Sequence, residues 1–118
     1  MTALTASRKC GYIANGGTRS RVAKVSADAV IYKGGVVCRG ADTYAVAGAN
    51  TAGLVALGIS EENVDATGES DGDLEVKYIT HASVPFVNSA GADAVSQAHI
   101  GLPVWIADDQ TVRGTRGN

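Results

Sequence analysis

The chain has 118 residues, 45% of them apolar, and a formal net charge of −2, which suits one folded domain. It contains no run of roughly 20 apolar residues that could span a membrane, and its N-terminus lacks the apolar core of a secretory signal, so we expect synthesis in the cytosol and no membrane partner. Because there are only one Phe, one Trp and four Tyr, Ala and Val must fill most of the interior, and the core should gain from burial against partners.

Basic and acidic residues are separated along the chain. Seven of the ten basic residues precede position 40, where Asp28 is the only acid, whereas residues 40–112 hold eleven acids and one base, Lys77. This polarity favours docking onto a charged neighbour, either a second copy or a different protein. The acidic body, with a sequence pI ≈ 5.5, disfavours nucleic-acid binding despite the basic cluster near Arg19 and Arg21.

The first 20 residues show neither strand nor helix periodicity, and Asn15-Gly16-Gly17-Thr18 interrupts any regular element. We therefore predict a flexible N-terminal arm over residues 1–20 and a single β-rich domain over residues 21–118. Basic and bulky residues of the arm and its junction are candidates for contacting a partner: Arg8, Lys9, Tyr12, Ile13, Arg19 and Arg21.

Short β-prone runs separated by turn residues fill the chain from residue 21 onward. The predicted strands are Arg21–Val25, Ala29–Tyr32, Val36–Arg39, Thr43–Ala47, Leu54–Ser60, Leu74–Thr80, Val84–Asn88, Pro103–Ala107 and Thr111–Arg113. One helical turn is predicted after Ser96, which could cap it, before Gly101 ends it. This pattern predicts an all-β fold, a small compact barrel-like or sandwich-like domain.

No catalytic or metal-binding pattern stands out. Cys10, Cys38, His81 and His99 have the right types for zinc, but their spacings contain no close ligand pair, so two free thiols are favoured. Acid pairs such as Asp108-Asp109 lie where turns are expected, and no nucleophile elbow or phosphate loop is present. We expect no enzyme activity, cofactor, metal or small-molecule substrate.

Several segments of the C-terminal half resemble one family of structural proteins. They are Gly53-Leu54-Val55-Ala56-Leu57-Gly58-Ile59, Gly72-Asp73-Leu74-Glu75-Val76, Phe86-Val87-Asn88-Ser89-Ala90 and the run from Ile100 to Val112 containing Pro103-Val104-Trp105 and Asp108-Asp109-Gln110-Thr111-Val112. Over roughly residues 29–113 the chain resembles the head decoration, or capsid-cementing, proteins of tailed bacteriophages.

The resemblance implies a non-enzymatic virion protein on the outer capsid surface, often a homotrimer, that binds the major capsid protein and staples neighbouring subunits together. Residues 1–20 match in position the arm that some members order on the shell. The alternative within the structural class is another virion component: a tail-tube, head–tail joining or spike protein.

Trp105 is the candidate anchor for a partner. If Val104 and Ile106 point into the core, the alternation of a strand directs Trp105 outward, where a large exposed ring indicates an interface. In the opposite register Trp105 fills the core, and the sequence leaves both orientations open.

Overall fold

The computed structural model describes residues 3–8, 13–51 and 53–114 and shows an all-β domain. Its ten strands are β1 (Ile13–Lys24), β2 (Val30–Ile31), β3 (Val36–Arg39), β4 (Ala45–Ala47), β5 (Val55–Ser60), β6 (Val64–Asp65), β7 (Glu75–Ser83), β8 (Val87–Asn88), β9 (Trp105–Ile106) and β10 (Thr111–Arg113). Two short 3₁₀ turns, Gly91–Asp93 and Gln97–His99, are the helical elements of the described residues, and neither could cross a membrane.

The main sheet has five antiparallel strands in the order β1-β7-β5-β3-β4. It curls, because Val25, just after one edge strand, forms an isolated parallel bridge with Ala45 in the other edge strand. Ser26 N–H donates to Ala45 O at 2.9 Å across the same junction. The edges meet at this one end only, so the sheet approaches a barrel without closing into one.

Each face of the main sheet carries its own hydrophobic cluster. On one face Val25, Val37, Val76 and Tyr78 pack with residues of the small ribbon formed by β2 and β6. On the other face Val36, Cys38, Ile59 and Ile79 pack against a C-terminal layer that includes Ile106. Successive residues of β3 and β7 are therefore buried on opposite faces, as expected for central strands covered on both sides.

The C-terminal layer, residues 84–114, contains the three-stranded sheet in the order β8-β10-β9. The chain between β8 and β9 is held by Asn88, whose side-chain amide donates to Val95 O at 2.9 Å and accepts from Val95 N–H at 2.8 Å. One planar amide thereby replaces a backbone pairing that this irregular segment cannot make with a strand.

The predicted all-β class is confirmed, and β3 and β10 have the predicted bounds. The turn after Ser96 is present as the 3₁₀ turn Gln97–His99. The strand β6 was not predicted, since a two-residue pairing with β2 requires no alternating pattern.

The predicted start of regular structure at residue 21 is wrong, because β1 begins at Ile13 and runs through the predicted boundary at residue 20. The register of β1 against β7 shifts between Ala14 and Arg19, so residues 15–18 lie opposite residue 81 alone. An irregularity of this kind accommodates the Asn-Gly-Gly-Thr stretch while backbone pairing continues on both sides. The flexibility of the remaining arm stays a prediction.

Candidate docking surfaces

The outer edge of β1 is the first candidate surface. In the described chain β1 ends the main sheet, with β7 on one side and no strand on the other. Val25 N–H donates to Leu74 O on the β7 side at 2.9 Å, whereas Ser26 N–H donates to the opposite edge. Because alternate residues of a strand direct their backbone groups to opposite edges, the N–H and C=O groups of Ser20 and Val22 point outward, whereas the Lys24 carbonyl lies at the parallel bridge to Ala45. This is a row of backbone donors and acceptors open to a partner strand.

Exposed basic side chains accompany this edge. Arg19, Arg21 and Lys24 are all exposed, and Val22 between them has 55% of its surface accessible. Ser20 Oγ donates to Glu61 Oε2 at 2.8 Å, which anchors β1 to the loop after β5. An extended segment carrying carboxylates would meet complementary charge along this strand.

The second candidate is a set of exposed large apolar residues that we call the C-terminal apolar surface. Its members all belong to the C-terminal layer: Phe86, Val87, Ile100, Leu102 and Val104. Ile100 and Leu102 are 77% and 60% exposed. Five such residues within one layer of a small domain make this layer a candidate contact surface, because exposed apolar residues are otherwise expected to be scattered singly.

An apolar cleft of about 290 Å³ lies between part of the C-terminal layer and the main sheet. Its walls include Val36, Ile59 and Ile79 from the sheet and Phe86 and Trp105 from the layer. Trp105 is half-buried, so it is neither the fully exposed anchor nor the main filler of the core. It lines the boundary between the layers with one part of its ring accessible.

The N-terminal residues 4–8, which we call the N-terminal strap, lie across the domain. Leu4 N–H donates to Asp109 Oδ1 at 2.8 Å, and Arg8 donates through its backbone N–H to Lys33 O at 2.9 Å and through Nε to Gly34 O at 2.7 Å. The Arg8 guanidinium also lies 5.7 Å from the centroid of the Phe86 ring. These contacts join the strap to both the main sheet and the C-terminal layer.

Asp109 is only 3% exposed. Burial raises the pKa of Asp109 above its ordinary value, while the hydrogen bond from Leu4 and the charge of Arg8 act in the opposite direction. Asp109 also accepts Val36 N–H at its backbone oxygen, at 2.8 Å. A carboxyl group placed this way serves as a fixed acceptor between the sheet and the strap.

The structure separates the predicted contact residues instead of gathering them. Arg19 and Arg21 are exposed on β1, and Ile13 is the first residue of that strand. Arg8 is half-buried against its own domain, and Trp105 lies in β9. The predicted contacts Lys9 and Tyr12 lie outside the described residues.

Cys38 and His99 are described members of the set whose residue types suit zinc, and their surroundings are those of structural residues. Cys38 is a fully buried free thiol, and desolvation raises its pKa to about 11. His99 accepts Ser96 N–H at its Nδ1, 2.9 Å away, within the 3₁₀ turn. Among the described residues, no three His, Cys, Asp or Glu side chains are placed to hold a metal ion.

Sequence reasoning missed the strap partners Leu4 and Asp109 and the exposed pair Ile100 and Leu102. The pair carried a signal, since Gly101 and Pro103 interrupt any strand or helix that could bury two such side chains on one face. The bond between Leu4 and Asp109 carried none, because it joins opposite ends of the chain.

Comparisons with protein families, with curated proteins and with solved structures give no match to this chain.

Proposed function

We propose that the protein is a structural virion component that binds the outer surface of an assembled phage capsid and cements neighbouring major capsid subunits. The outer edge of β1 is the observation that carries this proposal. Residues 19–24 of β1 pair regularly with β7, and in the described part of the chain no strand runs along their outer edge. Such an edge can extend a neighbouring sheet, which provides main-chain hydrogen bonds without requiring a particular partner sequence.

The exposed side chains suit a shared assembly surface. Arg19 and Arg21 would meet acidic groups of the shell, but each exposed ion pair contributes under about 1 kcal/mol. Stronger attachment would come from burying the C-terminal apolar surface against the shell or a second copy. Many copies on one lattice would then act together.

Co-sedimentation with a panel of emptied tailed-phage heads tests the proposal, using Val22→Pro and Val22→Ala. Proline removes an N–H that points away from β7, so the main sheet should be retained while the outer edge loses one donor. Alanine shortens the same exposed side chain and keeps the donor. We expect saturable binding by the wild type and Val22→Ala, and weaker binding by Val22→Pro.

Equal binding of the two variants would show that the edge does not dock. If no form binds any head while the protein alone assembles into rings or tubes, the cementing role is wrong and a tail or connector role replaces it.

A further inference from the structure

The N-terminal strap spans two layers that also meet directly, through the packing of Ile106 and the bond from Val36 N–H to Asp109 O. At one end Leu4 contacts the C-terminal layer through the 2.8 Å bond to Asp109, and its side chain lies over Gly35, where a Cβ would be 2.9 Å from Leu4 Cδ1. At the other end Arg8 is bound to the turn that precedes β3, through Lys33 O and Gly34 O. Residues 5–7 between these ends are exposed.

The closed strap carries polar costs that offset its hydrogen bonds. Arg8 Nη2 is buried and has no hydrogen-bond partner among the described residues. Burial of this charged donor without a hydrogen-bond partner costs hydration, which the contact with the Phe86 ring offsets only in part. The bond from Leu4 likewise requires the carboxyl of Asp109 to stay buried. Few contacts with such costs indicate a segment that opens far more easily than the sheet beneath it.

Opening would uncover apolar side chains. Arg8 covers one face of Phe86, whose ring lines the apolar cleft together with Val104. Arg8 also forms part of the wall of a second cavity, of about 190 Å³, in which Ile59 and Ile79 take part. The apolar cleft lies between the main sheet and the C-terminal layer, whereas the second cavity lies between the strap and the main sheet.

We propose that the N-terminal strap is a releasable cover, fastened by the bond between Leu4 and Asp109, whose opening exposes Phe86 and the boundary between the two layers. This device goes beyond the cementing role and does not depend on which partner the protein binds. Its effect is to keep an apolar contact region partly covered in the isolated protein and to make it available when residues 4–8 are displaced.

Cleavage after Arg8 by an arginine-specific protease, which does not cut after the adjoining Lys9, reports opening, because a protease needs the residues around the scissile bond to be extended and free. We expect wild-type protein to release the fragment 1–8 more slowly than a synthetic peptide of residues 1–14. Leu4→Pro removes the N–H donor, whereas Leu4→Ala shortens the side chain and keeps the donor. If loss of one hydrogen bond shifts the opening equilibrium, Leu4→Pro should be cleaved about tenfold faster than Leu4→Ala.

Cleavage after Arg39, within β3, serves as the internal control for global unfolding and should be the same in both variants. Binding of the dye 8-anilinonaphthalene-1-sulfonate supplies the second readout. Leu4→Pro should increase its fluorescence, and adding Phe86→Ser should remove the increase.

Equal cleavage of Leu4→Pro and Leu4→Ala would overturn the proposal, as would wild-type cleavage as fast as that of the peptide. If Leu4→Pro also accelerates cleavage after Arg39, it destabilises the whole domain. The rate of release of the fragment 1–8 is then compared between Asp109→Ala and Asp108→Ala. Only the first removes the acceptor of the strap, so equal release of the fragment 1–8 from those two variants would also refute it.

Discussion

Gly58 lies so close to Ile79 that a Cβ atom at position 58 would meet the Ile79 carbonyl oxygen. This approach occurs where β5 begins its pairing with β7, next to the matched residues Ile59 and Ile79. The centre of the main sheet therefore requires glycine at position 58 for lack of space, independently of backbone conformation.

Gly58→Ala should lower the free energy of unfolding by about 2–3 kcal/mol, because the new methyl group forces two central strands apart. Denaturant unfolding measures the change. Gly40→Ala is the matched control, since the nearest atom to its Cβ would be Asp42 Oδ1 at 3.1 Å, which belongs to an exposed side chain and not to the backbone of a central strand. The control should cost under about 1 kcal/mol, and equal losses in the two variants would contradict the packing argument.

The thiol of Cys38 should be unreactive while the protein is folded. Its pKa of about 11, raised from 9.0 by burial, reduces the thiolate fraction at pH 8 about 100-fold. In a Cys10→Ser background, alkylation by iodoacetamide at pH 8 should follow the rate of unfolding. Rapid labelling without denaturant would contradict the buried placement.

The raised pKa of Cys38 also makes the free energy of unfolding depend on pH. Because folding raises the pKa of Cys38, its contribution to stability is complete below about pH 9 and is lost as the pH rises through about 11. Cys38→Ala, measured over the same pH range, supplies the reference for other groups that titrate there.

Asn88 should determine the order of the segment between β8 and β9. Asn88→Asp keeps the acceptor for Val95 N–H but places a carboxylate oxygen against Val95 O, where the amide donated. We expect hydrogen exchange at Val95 N–H to quicken by about tenfold, with exchange in β3 unchanged. Gln97→Glu introduces the same charge change at an exposed site of this segment and should leave Val95 protected.

If the protein cements capsids as proposed, reversing the charge of β1 should weaken that binding without unfolding the domain. The double variant Arg19→Glu/Arg21→Glu should bind phage heads about tenfold less tightly at low ionic strength, and the difference should shrink in high salt. Arg39→Glu/Lys77→Glu makes the same change in net charge at exposed positions outside β1. If both pairs weaken binding equally, total charge and not the β1 surface is responsible.

The C-terminal apolar surface should support association of the protein with itself. Ile100→Ser/Leu102→Ser should leave the free energy of unfolding within about 0.5 kcal/mol, because both side chains are exposed. It should nevertheless shift the self-association equilibrium seen by analytical ultracentrifugation toward monomer by about tenfold. Val55→Ser is the control, because Val55 lies on β5 and is 47% exposed. It should leave the self-association equilibrium unchanged.

Sequence patterns predicted the strands that combine β-branched residues with turn residues close by in the chain. The run Val36–Arg39 and the strand at Thr111 combine β-branched residues with nearby turn signals, and both appear with the predicted bounds. The early part of β1 lacks that alternation, and its pairing with β7 rests on backbone hydrogen bonds that do not require it. Side-chain pattern could not reveal such a strand.

The candidate surfaces were predictable only in part. Exposed basic residues at Arg19 and Arg21 followed from charge distribution, since a cluster of like charges without acids remains in water. The tethering of Arg8 depends on Gly34 and Phe86, which the fold alone brings to it. The half-buried position of Trp105 depends on how closely two layers approach, a distance that strand periodicity does not encode.

The order of strands in the main sheet also has a consequence for synthesis. β1 leaves the ribosome before the other described strands, yet its partner β7 ends at Ser83, and β5 and β3 must lie beyond β7 before the sheet is complete. A nascent chain therefore presents a basic strand with both edges unpaired through much of its translation. Assembly of this domain is expected to be slow and largely post-translational, and nascent-chain chaperones would find their most accessible target at its beginning.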